Sequence, residues 1–322
     1  MNSAQIHRLQ CSKHLIDQPG ALREQFERDG YVYCRGIVPV EKITSLRLKI
    51  LDACAAAGWI DRNAEPGEAL TVIAPVNEGE PAFFDVYDVV QKLEEFHALS
   101  HHPKLMTLMR ALLGDSAFPH PLGIARLMFP FNTECTTPPH QDYPNNQGTP
   151  DLYACWIPLG DCPLELGGVA VMEGSHHCGV LPLKYSLGAG GREAVLDPSL
   201  ATHRWLGTDY QAGDVLVFHS QNVHCALDNR SPGRMRISCD FRYQRQGEAL
   251  VERSLRPHFE RFGWEEVYRD WQSREYQYYW KSLDYTTVAW DDSMHHLPEE
   301  HLREAVRMQR AYDSRRKSMV QS

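Results

Sequence analysis

The stretch from Thr136 to Pro150, TTPPHQDYPNNQGTP, decides how the rest of this chain is interpreted. It places His140 and Asp142 one residue apart between prolines, which restrict the backbone on both sides. In an extended segment, side chains i and i+2 project to the same side, so this imidazole and this carboxylate can bind one metal ion at about 2 Å. A surface turn in which the aspartate binds its own backbone is the alternative. The pair therefore predicts a metal site only if a third ligand lies elsewhere in the chain.

Candidates for that third ligand lie in a later stretch, GDVLVFHSQNVHCALDN (213–229), which contains His219 and His224. A Gly-Asp turn leads into a strand-like run, and a second short β-type run follows. Two histidines and one carboxylate on one face, with the remaining coordination positions open, form the ligand set of non-haem Fe(II) oxygenases. The open positions would accept 2-oxoglutarate and dioxygen.

A basic residue shortly after this stretch suits the same chemistry. The distal carboxylate of 2-oxoglutarate is best bound by a planar, bidentate cation, which favours arginine over lysine. Arg234 and Arg236 both lie in GRMRISCDF (233–241), and in a strand they share a face. Their spacing does not choose between them, and a solvated strand arginine is the alternative for each.

Residues 121–246 are rich in short β-type runs bounded by Gly, Pro, Asn and Asp. The runs are LGIARLMFPF, DLYACWIPLGDC, GGVAVMEGSH, GDVLVFHSQNVHCAL and RMRISCDFRYQ. Because no helical pattern separates them, they predict an antiparallel sandwich or barrel rather than a parallel α/β sheet. Residues 1–120 are mostly helical in pattern, with a first short strand from Tyr31 to Cys34 and a helix from about Phe96 to Leu113.

After residue 247 the chain is again helical in pattern and unusually aromatic, as in FGWEEVYRDWQSREYQYYWKSLDY (262–285). Trp264, Tyr268 and Trp271 fall at helical spacing, which predicts a helix that packs an aromatic stripe on the sandwich. A substrate lid or a dimer contact is the alternative.

Composition and charge limit the class of protein. The 322 residues are 43% hydrophobic and 23% charged, as in soluble globular chains. The formal net charge of −9 argues against a nucleic-acid surface, and no apolar run approaches the ~20 residues that span a bilayer. The N-terminus lacks the apolar core of a secretory signal, and the nine cysteines form no Cys-x-x-Cys pair. We therefore expect a cytoplasmic protein that binds neither nucleic acid nor membrane.

These motifs, in this order, resemble the phytanoyl-CoA dioxygenase family of Fe(II)/2-oxoglutarate-dependent oxygenases. The stretches that carry the resemblance are FERDGYVYCRGIV (26–38), PPHQDYP (138–144), WIPLGDCPLELGGVAVMEGSH (156–176) and GDVLVFHSQNVHCALDNRSPGRMRISCDF (213–241). The resemblance implies a mainly β fold with flanking helices, in which a double-stranded β-helix (a jelly-roll, cupin-like core) carries the metal site. It does not extend past about residue 247.

We accordingly predict a single oxygenase domain over residues 1–322. Its predicted parts are a mostly helical N-terminal part (1–120), the jelly-roll core with the metal site (121–246), and an aromatic helical extension (247–322) that serves as a lid or as a homodimer contact.

Carried over residue by residue, the family's iron ligands fall on His140, Asp142 and His224. His219 falls at a position that is not a ligand in the family. Family members often have a serine two residues after the distal histidine, where this chain has Ala226. The resemblance therefore implies that this contact to the co-substrate is absent or supplied by another group.

The family's 2-oxoglutarate arginine falls on Arg234, but its spacing from the distal histidine is one residue shorter than expected, so Arg236 stays an alternative. Trp156 resembles a position that lines the 2-oxoglutarate pocket. Arg126, in GIARLMFPF, either points into the mouth of the core, where it favours an anionic or carbonyl-bearing substrate, or faces outward.

The resemblance implies an Fe(II)/2-oxoglutarate-dependent dioxygenase that uses Fe(II), 2-oxoglutarate and O2. It would hydroxylate an unactivated C–H bond of a natural-product intermediate, an acyl derivative or an amino-acid derivative, and release succinate and CO2. Halogenation is not expected, because Asp142 stands where related halogenases have a small residue. A cupin-like metal enzyme that does not use 2-oxoglutarate and a non-catalytic jelly-roll binding protein are the two alternatives.

Overall fold

Two β-sheets packed face to face form the centre of the molecule. The structure is a computed structural model that describes residues 6–61, 63–65 and 67–320. Its helices are α1 (Pro19–Asp29), α2 (Val40–Ala56), α3 (Pro81–Gln91), α4 (Glu94–Leu99), α5 (Pro103–Leu113), α6 (Tyr143–Asn146), α7 (Trp264–Val267) and α8 (Glu299–Val320). Its strands are β1 (Ile6–Arg8), β2 (Tyr31–Cys34), β3 (Ala117–Pro119), β4 (Ile124–Met128), β5 (Tyr153–Pro158), β6 (Val169–Met172), β7 (Leu183–Tyr185), β8 (Arg192–Ala194), β9 (Trp205–Gly207), β10 (Val215–His219), β11 (His224–Ala226), β12 (Arg236–Arg245), β13 (Ala249–Val251) and β14 (Thr286–Val288).

The larger sheet has the strand order β2-β10-β5-β12-β3, and β4 also pairs with β12. The smaller sheet has the order β1-β9-β6-β11. Pairs in the larger sheet are antiparallel, whereas β1 pairs with β9 in parallel. This arrangement confirms the predicted jelly-roll core with flanking helices. The sheets also include β1, β2 and β3, so they draw on the N-terminal part of the chain as well as on residues 121–246.

Strand β12 shows how the larger sheet separates two environments. Ile237, Cys239 and Phe241 belong to a hydrophobic cluster that includes helical residues on the outside of the sheet. Arg236 alternates with them and lies near Trp156, which belongs to the cluster between the two sheets. Because side chains alternate along a strand, β12 presents polar groups to the interior of the core and apolar groups to the helices.

The helices α1, α2, α3 and α5 cover the outer face of the larger sheet. Leu22, Ile50 and Leu108 are fully buried in the same cluster as Val217 of β10. Helix α1 ends at Gly30, which has a φ of 78°. Glycine adopts this left-handed conformation without the penalty that a Cβ imposes, so α1 can turn directly into β2.

The single helix predicted from Phe96 to Leu113 is two helices in the structure. Helix α4 ends at Leu99, and α5 begins at Pro103. Proline fits the first position of a helix because its missing N–H would have no partner there, and it disfavours helical backbone in the preceding residue. Pro103 therefore separates two helices that the apolar periodicity alone joins.

The aromatic segment near the C-terminus is not the continuous helix that its spacing predicts. Helix α7 covers only four residues, and a 3-10 turn at Tyr279–Ser282 follows it. Trp264 and Trp271 pack against His97 of α4, with ring centroids 5.7 and 5.2 Å apart. The aromatic stripe thus packs on the flanking helices, held by tertiary contacts rather than by helical periodicity.

The C-terminal helix α8 packs against the loop that contains Asn77 and against strand β7. The side-chain amide of Asn77 donates to the hydroxyl of Tyr312 at 2.6 Å, and the hydroxyl of Tyr185 donates to Gln309 at 3.0 Å. In the described part of the chain, no helix has the length and apolar character required to cross a lipid bilayer.

Candidate metal centre

His140 and His224 are held opposite each other by their own backbones. The N–H of His140 donates to the carbonyl of His224 at 2.9 Å, and the N–H of His224 donates back at 3.0 Å. This reciprocal pairing is an antiparallel bridge, which places the two side chains on the same face. Their ring centroids lie 4.1 Å apart. The bridge thus brings together two histidines that lie far apart in the sequence.

Backbone carbonyls fix the orientation of both imidazoles. Nδ1 of His140 lies 2.8 Å from the carbonyl oxygen of Pro138, and Nδ1 of His224 lies 3.0 Å from that of Asn222. A carbonyl only accepts, so each Nδ1 carries the proton and each Nε2 keeps its lone pair. This is the usual arrangement for metal-binding histidines, in which the second nitrogen is held by a hydrogen bond.

The carboxylate of Asp142 lies between the two free nitrogens. Its Oδ1 is 3.9 Å from Nε2 of His140 and 3.9 Å from Nε2 of His224. Asp142 precedes the short helix α6, and the next residue, Tyr143, donates its N–H to the carbonyl of Ser220 at 2.9 Å. One candidate ligand atom from each of the three side chains lies within 4.8 Å of the others. Atoms at such separations can all reach a common ion at about 2 Å.

The protonation states suit metal binding. Burial lowers the pKa of His140 to about 3, with a further contribution from His224, and burial likewise lowers the pKa of His224. Burial would raise the pKa of Asp142, but Arg242 and the two histidines outweigh it and lower that pKa. Neutral imidazoles and an ionised carboxylate are the forms that bind a divalent cation. The donor set of two nitrogens and one oxygen fits non-haem iron.

Arg242 is a residue of this site that the sequence-based interpretation missed. It lies on β12 and is 5% exposed. Its Nη2 donates to Oδ1 of Asp142 at 3.1 Å, and its Nε lies 2.9 Å from Oδ2. This hydrogen bond and the close ion pair together hold the carboxylate against the guanidinium. The signal in the sequence was the even spacing from Arg236, which places Arg242 on the same inward face.

The structure separates the two candidate 2-oxoglutarate arginines. The side chain of Arg234 is 31% exposed; its Nε is buried without a hydrogen-bond partner but lies 3.7 Å from the carboxylate of Glu68. Arg236 is 3% exposed, and its Nη1 donates to the hydroxyl of Ser238 at 2.7 Å. In the described part of the chain, no carboxylate is paired with Arg236 and its buried Nε has no hydrogen-bond partner. Burial lowers the pKa of Arg236, as expected of a guanidinium without a counter-charge.

Trp156 is buried beside Arg236. The Cζ of Arg236 lies 5.9 Å from the centre of the indole ring. The indole Nε1 is buried and has no hydrogen-bond partner among the described residues. The indole N–H and the Nε of Arg236 are therefore both unsatisfied donors in the buried core, where an unpaired polar group is unfavourable.

His140 and Asp142 line a cavity of about 480 Å³. Arg126 lines it too, so this side chain lies on the inner side of β4. Its Nε donates to Oδ2 of Asp240 at 3.2 Å, and it also forms an ion pair with Glu78. Both contacts lie within the molecule, and they neutralise the charge of Arg126 locally.

Two further histidines that the motifs contain lie away from this cluster. Nε2 of His219 is 3.7 Å from a carboxylate oxygen of Asp151. Nε2 of His176 donates to the carbonyl of Glu27 at 2.9 Å. His219 is thus outside the group of three candidate ligands, in agreement with its non-ligand position in the family.

Comparison with known proteins agrees with this geometry. The family model described as phytanoyl-CoA dioxygenase (PhyH) matches residues 26–238. A 1-deoxypentalenic acid 11-beta-hydroxylase from Streptomyces exfoliatus is 28% identical over 247 residues, which cover 71% of this chain and 82% of that protein. A probable phytanoyl-CoA dioxygenase from Caenorhabditis elegans is 23% identical, over 68% of this chain and 73% of that protein.

One solved structure that is similar in fold is the epimerase SnoN in complex with Fe3+, alpha ketoglutarate and nogalamycin RO. Its TM-score is 0.53 at 20% sequence identity, and the match covers 73% of this chain and 86% of that chain. The structural likeness supports the jelly-roll core, and the family match covers well over half of the 322 residues. This protein therefore belongs to the phytanoyl-CoA dioxygenase family of non-haem iron, 2-oxoglutarate-dependent oxygenases.

Proposed function

We propose that the protein hydroxylates an unactivated C–H bond of a small molecule, and that His140, Asp142 and His224 hold its iron. The observation that carries this proposal is the convergence of these three side chains to within 4.8 Å from two distant parts of the sequence. When bound, iron and 2-oxoglutarate supply the activation of dioxygen, and 2-oxoglutarate leaves as succinate and CO2. The protein's own task is to orient the ligands and to hold the substrate.

Hydrogen bonds to the ligand side chains perform the orienting task. The carbonyls of Pro138 and Asn222 hold the imidazoles so that both free nitrogens point toward Asp142. Arg242 holds the aspartate from the other side and keeps it ionised. With these constraints the three ligands need little rearrangement on metal binding, which favours a rigid site with open coordination positions.

We assign the distal carboxylate of 2-oxoglutarate to Arg236, with Trp156 as a second donor. A buried guanidinium without a carboxylate partner and a buried indole N–H without an acceptor both require an anionic or polar ligand. Arg234 is the weaker candidate, because Glu68 is near it and solvent reaches it. Ala226 offers no hydroxyl, so the arginine and the indole carry this recognition without the serine of other members.

The activities for which the relatives are named support hydroxylation of a natural-product-like or acyl substrate. The relative from Streptomyces exfoliatus is named as the 11-beta-hydroxylase of 1-deoxypentalenic acid, and the family model is named for phytanoyl-CoA. Halogenation is not expected, because the carboxylate of Asp142 takes the coordination position that a halide would need. We also propose that the protein acts in the cytoplasm. We further propose that it forms a homodimer through its C-terminal helices, which light scattering can test.

The test is a succinate-release screen over a metabolite library with Fe(II), ascorbate and 2-oxoglutarate. His140→Ala should lower substrate-dependent succinate release by at least about 100-fold, because losing a ligand exceeds the ~10–100-fold effect of losing a group that supports one. His219→Ala is the matched control, since this histidine lies outside the cluster, and it should stay within about threefold of the wild type. Product formation that continues without 2-oxoglutarate would contradict the proposal.

A further inference from the structure

The cavity beside the candidate metal ligands contains arginines that its carboxylates do not pair with, because Glu78 and Asp142 pair with other lining arginines and Glu260 pairs with Arg256. Four arginines line it: Arg126, Arg192, Arg242 and Arg253. Two of them have internal partners, since Arg126 pairs with Glu78 and Asp240, and Arg242 pairs with Asp142. In the described residues, no carboxylate is paired with Arg192 or with Arg253. Two cations thus remain available to a ligand.

Arg192 is the more constrained of these two cations. Its Nη1 donates to the carbonyl of Gly191 at 3.0 Å, whereas its Nε is buried and has no hydrogen-bond partner. Its strand is anchored to the metal-site loop, because the N–H of Ala194 donates to the carbonyl of Pro139 at 2.7 Å. Pro139 directly precedes His140 in the sequence. The backbone of Arg192 is therefore held at a fixed place relative to the candidate ligands.

Arg253 approaches the same cavity from the segment after β13. Its guanidinium carbon lies 4.6 Å from the centre of the Trp290 ring, which positions the group without neutralising it. Arg253 is exposed, so solvent screens its charge more than that of Arg192. We expect Arg192 to make the stronger contact and Arg253 to support it.

The remaining wall of the cavity is partly apolar. Leu122, Ile124, Pro257 and Phe259 contribute this surface. A neighbouring cavity of about 300 Å³ shares lining residues with the first: Glu78, Arg126, Ala189, Gly190 and Phe259. Together the two spaces fit a compact molecule with an apolar body and one anionic end.

From these observations we propose that the substrate is an apolar carboxylic acid whose carboxylate is bound by Arg192, with Arg253 as a second cation. The planar fork of a guanidinium matches a carboxylate in two charge-assisted hydrogen bonds, whereas a neutral thioester or alcohol would offer a single uncharged acceptor to the buried Nε of Arg192. The proposal deepens the proposed function and rests on it for the reaction, but the carboxylate site itself needs no metal.

The test is anaerobic calorimetric titration of the protein loaded with Fe(II) and 2-oxoglutarate. The probes are two acid and alcohol pairs: octanoate with octan-1-ol, and adamantane-1-carboxylate with adamantane-1-methanol. At least one acid should bind about tenfold more tightly than its alcohol, as expected for one charge-assisted hydrogen-bond pair. Saturation with 2-oxoglutarate prevents the probe acid from occupying the co-substrate position.

Variants then locate the effect. Arg192→Gln should remove most of the acid preference, and Arg253→Gln should reduce it by about twofold to threefold, as for a partly screened charge. Arg204→Gln is the matched control, because this arginine lies on the surface beside Glu173. Equal binding of acids and alcohols by the wild type would overturn the proposal, and so would an acid preference that survives in the double variant of Arg192 and Arg253.

Iron and 2-oxoglutarate binding are measured separately by equilibrium dialysis on the same samples. If these ligands do not bind but the acid preference depends on Arg192, the proposed function fails and the carboxylate site stands. If they bind normally and no acid preference is found, the carboxylate site fails and the oxygenase function stands.

Discussion

The two halves of the inner face of the larger sheet differ sharply in chemistry. On β2, β5 and β10 the inward side chains are mostly apolar, and Tyr31, Leu216 and Phe218 pack in the cluster between the sheets. On β4 and β12 the inward side chains include the charged Arg126, Asp240 and Arg242. Apolar burial stabilises the fold through the first half, whereas the second half holds buried charges that need partners. Most of the proposed binding groups of this sheet therefore lie on β4 and β12, and Trp156 of β5 is the exception.

Among substitutions that test this difference between the two halves, we expect the largest effect at Asp142. Asp142→Asn keeps the shape of the side chain but removes the charge that pairs with Arg242 and that a metal needs. We expect at least about a 100-fold loss of iron affinity, together with a loss of stability of about 3–5 kcal/mol because the guanidinium stays buried without a partner. Iron content after anaerobic dialysis and urea unfolding measure the two effects.

A double variant, Asp142→Asn with Arg242→Gln, serves as the control for that prediction. It removes both charges, so it should recover much of the lost stability without recovering iron. Recovery of iron binding in the double variant would mean that the carboxylate is not a ligand.

A substitution in the apolar half should lower the stability of the protein without changing iron binding. Leu216 is fully buried, so Leu216→Ala should lower the free energy of unfolding by about 2–5 kcal/mol through lost burial and the cavity left behind. The folded variant should still bind one iron per chain in dialysis, because Leu216 belongs to the apolar cluster rather than to the ligand set. A loss of iron binding in the folded variant would show that the two halves are not separate.

A substitution in the charged half should weaken the binding of 2-oxoglutarate. Arg236→Gln removes the buried guanidinium and should raise the KM for 2-oxoglutarate by about 10–100-fold, as expected for a charge-assisted pair. Arg234→Gln should change this KM by less than about threefold, because Arg234 is partly exposed and lies beside Glu68. Succinate formation at varied 2-oxoglutarate concentration measures both, and a reversed order would assign the role to Arg234.

The smallest effect is expected where the chain departs from its family. Ala226 is two residues after His224, and its side chain is 7% exposed. Ala226→Ser adds a hydroxyl on the same face and should lower the KM for 2-oxoglutarate by about twofold to fivefold, the size of one net hydrogen bond. Ala226→Val, which adds bulk without a donor, is the control, and an equal decrease in both would exclude a hydrogen-bond explanation.

Much of the core was predictable from the sequence because its signals are local. The runs that become β5, β10 and β12 are rich in β-forming residues and bounded by turn residues. The His140–Asp142 pair and His224 were recognised by residue type and order. Their convergence depends on the isolated backbone bridge between His140, which lies in a loop, and His224 of β11, and no local pattern specifies this bridge.

What the sequence did not reveal depends on tertiary contact. Period-two alternation places Arg234, Arg236 and Arg242 on one face, but only the surroundings show that Glu68 lies near the first and Asp142 contacts the last. The aromatic segment has helical spacing, yet its rings are held by α4 and by one another. Residue spacing predicts which face of a helix or strand a side chain lies on, but it does not predict which residues that side chain contacts.

Because His140 and His224 pair through their backbones, iron bound by their side chains would also stabilise this edge of the core. These two amides can exchange with solvent only when an edge of the core separates, and a bound ion would oppose that separation from the side-chain side. Saturating metal should therefore slow hydrogen–deuterium exchange at these two amides far more than at the ends of α8. The same coupling would make release of the ion slow, because release would require the backbone bridge between His140 and His224 to open.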